Sequence, residues 1–133
     1  MTSSPRSPEG GLPAGRDLVV DAANVVGSRP DGWWRDRAGA AARLGGRLAA
    51  ALDAGTLDAP LVHLVLEGAA KAAEIPDHPR LRVHRAPADG DSAIVALVAS
   101  LPGPVTVVTA DRGLRARLAA PAVGPGTLLE RLP

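Results

Sequence analysis

The sequence predicts a three-layer α/β/α protein in which helices cover both faces of a mostly parallel sheet of four to five strands. Short apolar runs alternate along the chain with longer segments of helical period, which is the pattern of strands joined by crossover helices. The apolar runs lack polar alternation, which indicates strands buried on both faces. The length of 133 residues suits one such domain, and we expect it to span residues 17–133.

The first predicted strand is Leu18-Val19-Val20, which ends at Asp21. A predicted helix follows from about Trp33 to Leu52, with Asp31 as its N-cap. Apolar residues recur on this helix every three or four positions, and the stripe that they form assigns Trp34 to the core.

Residues 61–66 and 81–84 form the second and third predicted strands. Glu67 follows the second strand directly, and Asp89-Gly90-Asp91-Ser92 follows the third after a short loop. This acidic segment opens a helix whose apolar stripe runs through residues 94–101.

The fourth predicted strand covers residues 105–109 and leads to Asp111. A helix over about residues 113–118 follows, and Leu128-Leu129 forms a fifth strand or a docking turn. Right-handed crossovers place the carboxyl ends of parallel strands along one edge of the sheet. Ligands of such sheets bind beyond that edge, so we expect the functional residues there.

Composition excludes several function classes. The formal net charge is only +1, so any contact with a nucleic acid has to come from a local basic patch. The chain has no cysteine, which excludes disulfides, zinc–thiolate sites and thiol nucleophiles. Oxygen and imidazole groups remain as metal ligands.

Residues 1–16 are rich in Ser, Pro and Gly, and we expect them to form a flexible leader. This stretch lacks the apolar region of a signal peptide, and no apolar run approaches the roughly 18 residues of a membrane span. We therefore expect a cytoplasmic protein with no membrane partner. The abundance of Ala, Gly, Pro and Arg is typical of a GC-rich bacterial genome.

Acidic residues follow each of the four predicted strands. They are Asp21, Glu67, Asp89, Asp91 and Asp111. Two carboxylates about 5 Å apart repel by roughly 3 kcal/mol at an effective dielectric near 20, so a fold gains nothing by gathering them. Singly, each acid is explained as a helix cap or a turn residue. Together, they favour a site for Mg²⁺ or Mn²⁺, which accept carboxylate oxygens and keep waters for a phosphate.

Three segments carry a resemblance to a known family. Residues 18–26, with Asp21 followed three positions later by Asn24, resemble the opening strand of PIN/NYN-like nucleases. Residues 107–112, with Thr109 before Asp111, are similar to a late strand of that family. Residues 89–94 are similar to the acid-bearing start of its middle helix. The order and spacing agree over about residues 17–120.

The resemblance implies a PIN-like fold and metal-dependent hydrolysis of RNA phosphodiesters. It implies that Asp21, Asp91 and Asp111 are the catalytic, metal-binding acids. Glu67 and Asp89, which converge on the same sheet edge, are further candidate metal ligands. Two features depart from the family pattern: Ser92 follows Asp91 where relatives often carry a second acid, and Glu67 stands where many carry Asp.

Other residues are candidates for substrate contact. By the resemblance, Asn24 fixes the first loop or contacts substrate, and Thr109 steadies the last acid. Arg112 follows Asp111 closely enough to reach a phosphate. Arg29 and Trp33 combine charge with an aromatic ring, a pairing that holds single-stranded nucleic acid.

Two alternatives stay open beside the ribonuclease. One is a catalytically weak PIN-like module that binds RNA or a protein, and the other is a small-molecule phosphohydrolase that uses the same acids. A protein partner or a homodimer is also compatible with the sequence. A response-regulator receiver is excluded because the only lysine, Lys71, is misplaced. A haloacid-dehalogenase phosphatase is excluded because Ala23 stands where its second aspartate belongs.

Overall fold

The computed structural model describes residues 11–133, and its elements follow the predicted alternation of strands and helices. The strands are β1 (Asp17–Asp21), β2 (Val62–Leu66), β3 (Leu81–Arg85), β4 (Val105–Val108) and β5 (Ala122–Val123). The α-helices are α1 (Ala22–Val26), α2 (Arg37–Ala54), α3 (Gly90–Ser100), α4 (Arg112–Arg117) and α5 (Pro125–Leu129). Two 3-10 helices cover Trp33–Arg35 and Gly68–Ala72.

The sheet has five strands in the order β3-β2-β1-β4-β5, and every pair is parallel. The predicted fold class is therefore confirmed. The chain first builds outward from β1 to β2 and β3, and it then returns to the other side of β1 with β4 and β5. This reversal creates a topological switch point between β1 and β4, where ligands of open α/β sheets bind.

Helices cover both faces of the sheet because successive side chains of each strand point to opposite faces. On one face, Leu18 and Val20 of β1 pack in a large core that includes Leu48 and Leu52 of α2. On the other face, Val19 belongs to a second core whose other members include Val65, Val107, Ile94 and Leu114. The two cores and the sheet between them make up the three layers.

The start of the long helix differs from the prediction. The chain forms the 3-10 helix at Trp33–Arg35, and α2 begins only at Arg37. Asp36, rather than Asp31, is the N-cap, and its Oδ1 accepts a hydrogen bond of 2.9 Å from the Gly39 backbone N–H. Trp34 consequently leaves the apolar stripe and is 50% exposed, so its assignment to the core was wrong.

The C-terminal region also differs from the prediction. Leu128 and Leu129 lie in helix α5, where both are buried in the larger core. The fifth strand is Ala122–Val123 instead, and it pairs with β4. The sequence shows two consecutive leucines, and this pattern does not distinguish a short buried helix from a short buried strand.

The predicted leader falls partly outside the described residues, which begin at Gly11. Of its last six residues, Leu12 packs against the larger core, and Arg16 donates hydrogen bonds to Thr106 Oγ1 at 3.0 Å and to the Val105 carbonyl at 2.8 Å. The domain boundary at residue 17 stays a prediction. Among the helices described between residues 11 and 133, none combines the length and hydropathy needed to cross a bilayer.

Candidate functional site

Asp21 lies at the end of the central strand and is 5% exposed. One carboxylate oxygen accepts the Asn24 backbone N–H at 3.3 Å and thereby caps α1. The other oxygen accepts the Thr109 hydroxyl at 2.9 Å. Burial raises the pKa of Asp21, these two hydrogen bonds oppose the rise, and the neighbouring carboxylates of Asp91 and Glu67 add to it.

A small hydrogen-bond network joins the ends of β1 and β4. The Thr109 hydroxyl, which donates to Asp21, also accepts the Asp111 backbone N–H at 3.1 Å. The Asn24 side-chain carbonyl accepts the Ala110 N–H at 2.8 Å. Thr109 is 0% exposed, and its place in the fold is that of a positioning residue that links two of the predicted acids.

Two more of the predicted acids cap helices. Asp111 accepts the Leu114 N–H at 2.9 Å at the start of α4. Asp89 accepts the Ser92 N–H at 2.7 Å at the start of α3, and hydrogen bonds from Ser92 lower the pKa of Asp89. Asp89 and Asp111 therefore both cap helices, which is the structural role expected of a single acid at such a position.

Asp91 has a different environment. It lies in the first turn of α3, is partly buried, and is not the cap of that helix. Burial is the largest cause of a raised pKa at Asp91, and the carboxylates of Asp111, Glu67 and Asp89 raise it further against the opposing charge of Arg117. Asp91 therefore lies within electrostatic reach of three other acids of the predicted set.

Glu67 packs against the amino-terminal end of α3. Its Oε1 accepts the Gly90 N–H at 3.4 Å. A Cβ atom added to Gly90 would lie 2.5 Å from Glu67 Oε2, so the close approach of carboxylate and helix depends on glycine at this position. The sequence shows Gly90 between two acids, but this packing role requires the tertiary structure.

The structure thus gathers Asp21, Glu67, Asp91 and Asp111 at the carboxyl edge of the sheet, beside the switch point. Asp89 lies at the outer rim of this group and is exposed. Across residues 11–133, no group of three or more His, Cys, Asp or Glu side chains is placed to hold a metal ion by itself. The acids are neighbours, but they do not form a closed protein cage for an ion.

The arginines of α4 that lie near the acids differ in their contacts. Arg112 is exposed in the first turn of α4, next to Asp111. Arg115 donates to the Thr109 carbonyl at 2.9 and 2.7 Å, so its side chain supports the end of β4. Arg117 donates to Ser92 Oγ at 3.4 Å across α3 and α4.

Arg29 and Trp33 line two separate cavities. Arg29 borders a cavity of about 150 Å³ whose lining includes Arg43 and Arg47 of α2. Trp33 borders a cavity of about 210 Å³ that also contains Glu67 in its lining. Of the two, only the cavity of Trp33 is bordered by one of the five acids predicted for the site, since the acid that lines the cavity of Arg29 is Asp31.

Two histidines form a pair that the sequence did not predict. His63 Nδ1 lies 3.0 Å from Nε2 of His84, which lies in β3 as predicted. His63 Nε2 is buried without a hydrogen-bond partner among the described residues, and it lies 3.8 Å from Asp17 Oδ2. The pairing depends on strand register, which the sequence does not show.

Comparison with known proteins identifies the fold. The crystal structure of Rae1 (YacP) from Bacillus subtilis, in its W164L mutant form, superposes with a TM-score of 0.68 at 20% sequence identity. The match covers 87% of this chain and 74% of that chain. The two proteins share a fold. No family model matches the sequence, and no curated protein matches it.

Proposed function

We propose that this protein is a divalent-metal-dependent ribonuclease that hydrolyses RNA phosphodiesters at the carboxyl edge of its sheet. The observation that carries the proposal is the position of Asp91, which neither ends a strand nor caps a helix and yet lies among three other carboxylates. Hydrogen bonds to helix N-termini account for Asp89 and Asp111, and Glu67 accepts the Gly90 N–H at the start of α3, but Asp91 accepts no such bond among the described residues.

The donor set fits Mg²⁺ or Mn²⁺. All the candidate ligands are carboxylate oxygens, which these ions prefer over nitrogen or sulfur. Mg²⁺ commonly takes only one or two protein carboxylates and keeps several waters, so a site without a closed cage suits it. One or two of Asp91, Asp111 and Glu67 would bind the ion directly, and the other acids of the group, including Asp21 and Asp89, would act through its waters. A bound ion would supply a water of lowered pKa and neutralise charge that develops on the phosphate.

The remaining side chains position this group and attract its substrate. The Thr109 hydroxyl and the Asn24 amide hold the ends of β1 and β4 together, which fixes Asp21 relative to Asp111. Arg112 adds an exposed positive charge next to the acids, where it can contact a phosphate. RNA, rather than another phosphodiester, is inferred from the motif resemblance around Asp21 and Asp111, and the shared fold with Rae1 supports the scaffold for it.

A cleavage assay with matched aspartate variants tests the proposal. Purified protein with Mn²⁺ is incubated with labelled single-stranded RNA, and the same assay is run on Asp91→Asn and Asp58→Asn. Asp58 is exposed in the segment before β2, outside the site, and it controls for the loss of one carboxylate. We expect cleavage by the wild type and by Asp58→Asn, and a loss on the order of 100-fold or more in Asp91→Asn.

The other outcomes separate the alternatives. Cleavage by Asp91→Asn at the wild-type rate contradicts the proposed site. Binding of RNA without metal-dependent cleavage by the wild type favours the binding module. Hydrolysis of free nucleotides without hydrolysis of RNA favours the small-molecule phosphohydrolase.

A further inference from the structure

The cavity beside Glu67 is lined by small apolar side chains, one aromatic ring and two groups of opposite charge. It encloses about 210 Å³ between α1, the start of α2 and the two 3-10 helices. Its apolar floor is formed by small side chains, and larger groups stand around it. The lining includes Ala22, Ala23, Ala41, Ala70, Trp33, Arg37 and Glu67.

Trp33 and Arg37 both line this cavity and contact each other. The guanidinium carbon of Arg37 lies 5.0 Å from the centroid of a Trp33 ring, so the two groups interact as a cation–π pair. Indole rings and guanidinium planes are the surfaces on which unpaired bases stack in single-stranded nucleic-acid complexes. The lining therefore suits a planar, neutral ring.

Phosphate is a poorer occupant of the same space. The lining carries one negative charge, Glu67, and one positive charge, Arg37, so it has no excess positive charge to hold a phosphate, and the Arg37 guanidinium already contacts the Trp33 ring. A nucleobase instead buries apolar ring surface against the alanines and presents N–H groups that a carboxylate accepts. The apolar lining thus favours a base over the phosphate to which it is attached.

The cavity adjoins the candidate acidic site. Glu67 belongs to both, and Ala22 and Ala23 of the lining directly follow Asp21. We propose that this cavity binds one unpaired base of a single-stranded RNA, next to the phosphate that lies at the acids. This inference rests on the proposed ribonuclease function and explains how such an enzyme would require single-stranded substrate, because a base paired in a duplex cannot enter the cavity.

The test measures binding in the absence of metal, so it does not depend on cleavage. Wild-type protein in EDTA is titrated into labelled hexauridylate RNA, and into a hexamer of abasic ribose phosphates that carries the same backbone. Fluorescence anisotropy gives the two dissociation constants. We expect the abasic chain to bind at least about tenfold more weakly, since stacking of one base accounts for a difference of that size.

Two pairs of variants localise the effect. Trp33→Ala should weaken binding of the hexauridylate about tenfold, while Trp34→Ala, which removes an exposed ring outside the cavity, should stay within about threefold of the wild type. Ala23→Leu fills the cavity from an exposed position of α1 without removing any contact of the fold. It should weaken binding like Trp33→Ala, whereas Ala50→Leu on the exposed surface of α2 should not.

Equal affinity for hexauridylate and the abasic chain overturns the inference, as does wild-type affinity in both Trp33→Ala and Ala23→Leu. Failure of the wild type to bind either chain overturns it as well. Base-dependent binding that these variants abolish supports the inference even where Mn²⁺ produces no cleavage, and that combination overturns only the proposed catalytic function. If the protein cleaves RNA but binds hexauridylate and the abasic chain equally well, only the cavity proposal is overturned.

Discussion

Replacing Asp91 by Asn tests whether the acids repel one another in the folded protein. The pKa of Asp91 is raised by burial and by the carboxylates of Asp111, Glu67 and Asp89. A carboxyl group with a raised pKa favours folding when protonated, and this contribution is lost as the pH rises through the pKa of the folded state. At pH 7 the ionised Asp91 therefore destabilises the metal-free protein, and Asn removes the charge with little change of shape.

The magnitude follows from the partial exposure of Asp91. Like charges on the order of 7 Å apart in a watery setting repel by about 0.6 kcal/mol, and screening by salt reduces the sum over several neighbours. We expect the free energy of unfolding of Asp91→Asn to be about 0.5–1 kcal/mol higher than that of the wild type at pH 7 without metal. For a domain of this size that corresponds to a rise of about 2–5 °C in melting temperature.

Thermal unfolding followed by circular dichroism, in EDTA and at a series of pH values, measures this difference. The difference should vanish below the ordinary Asp pKa of 3.8, where Asp91 is protonated in both the folded and the unfolded chain. Mg²⁺ or Mn²⁺ should stabilise the wild type by mass action and the variant much less. A variant that is less stable than the wild type at pH 7 in EDTA would refute the reasoning, because Asp91 would then be making a stabilising contact.

Three further predictions concern other parts of the site and the sheet. Thr109→Val leaves the buried Asp21 carboxylate without one donor, so chemical denaturation should show a loss of about 1–3 kcal/mol, and an unchanged stability contradicts the network. Burial lowers the pKa of both His63 and His84, so wild-type stability should fall as the pH drops below 6.5. A His63→Leu, His84→Leu double variant should lose this dependence of stability on pH, measured by denaturation at a series of pH values. If the variant keeps the dependence, groups other than these two histidines cause it. If Arg29 contacts one phosphate, Arg29→Ala should reduce the slope of log K against log salt for single-stranded RNA by about 0.7, measured by anisotropy, and an unchanged slope removes it from the RNA path.

The strands and the position of the acids could be predicted because both depend on local patterns. Residues 18–20, 62–66 and 105–108 are largely apolar runs, interrupted only by His63 and Thr106, and all of them are buried strands of a parallel sheet. An acid after each of these runs falls at the same edge once the strands are parallel. Neither conclusion needed knowledge of any contact distant in the sequence.

Features that depend on competition between local signals or on strand register were missed. Asp31 and Asp36 are equally good caps by residue type, and only the left-handed Gly32 and the following 3-10 turn decide for Asp36. The pairing of His63 with His84 requires the register of β2 against β3, in which Val65 is opposite His84. Packing decides strand register and the start of a helix, and the periodicity of apolar residues does not show that packing directly.

Helix capping and metal binding are not competing explanations of the acidic edge. Asp21, Asp89 and Asp111 each use one oxygen to cap a helix, as single acids ordinarily do. A cap by itself is satisfied as well by Asn or Ser, so capping does not explain why all three positions carry a charge. Capping does, however, fix each carboxylate against the start of a helix, and three helices that begin at one sheet edge then bring their caps together. The same geometry that satisfies the backbone thus concentrates negative charge at the switch point, where a cation would relieve it.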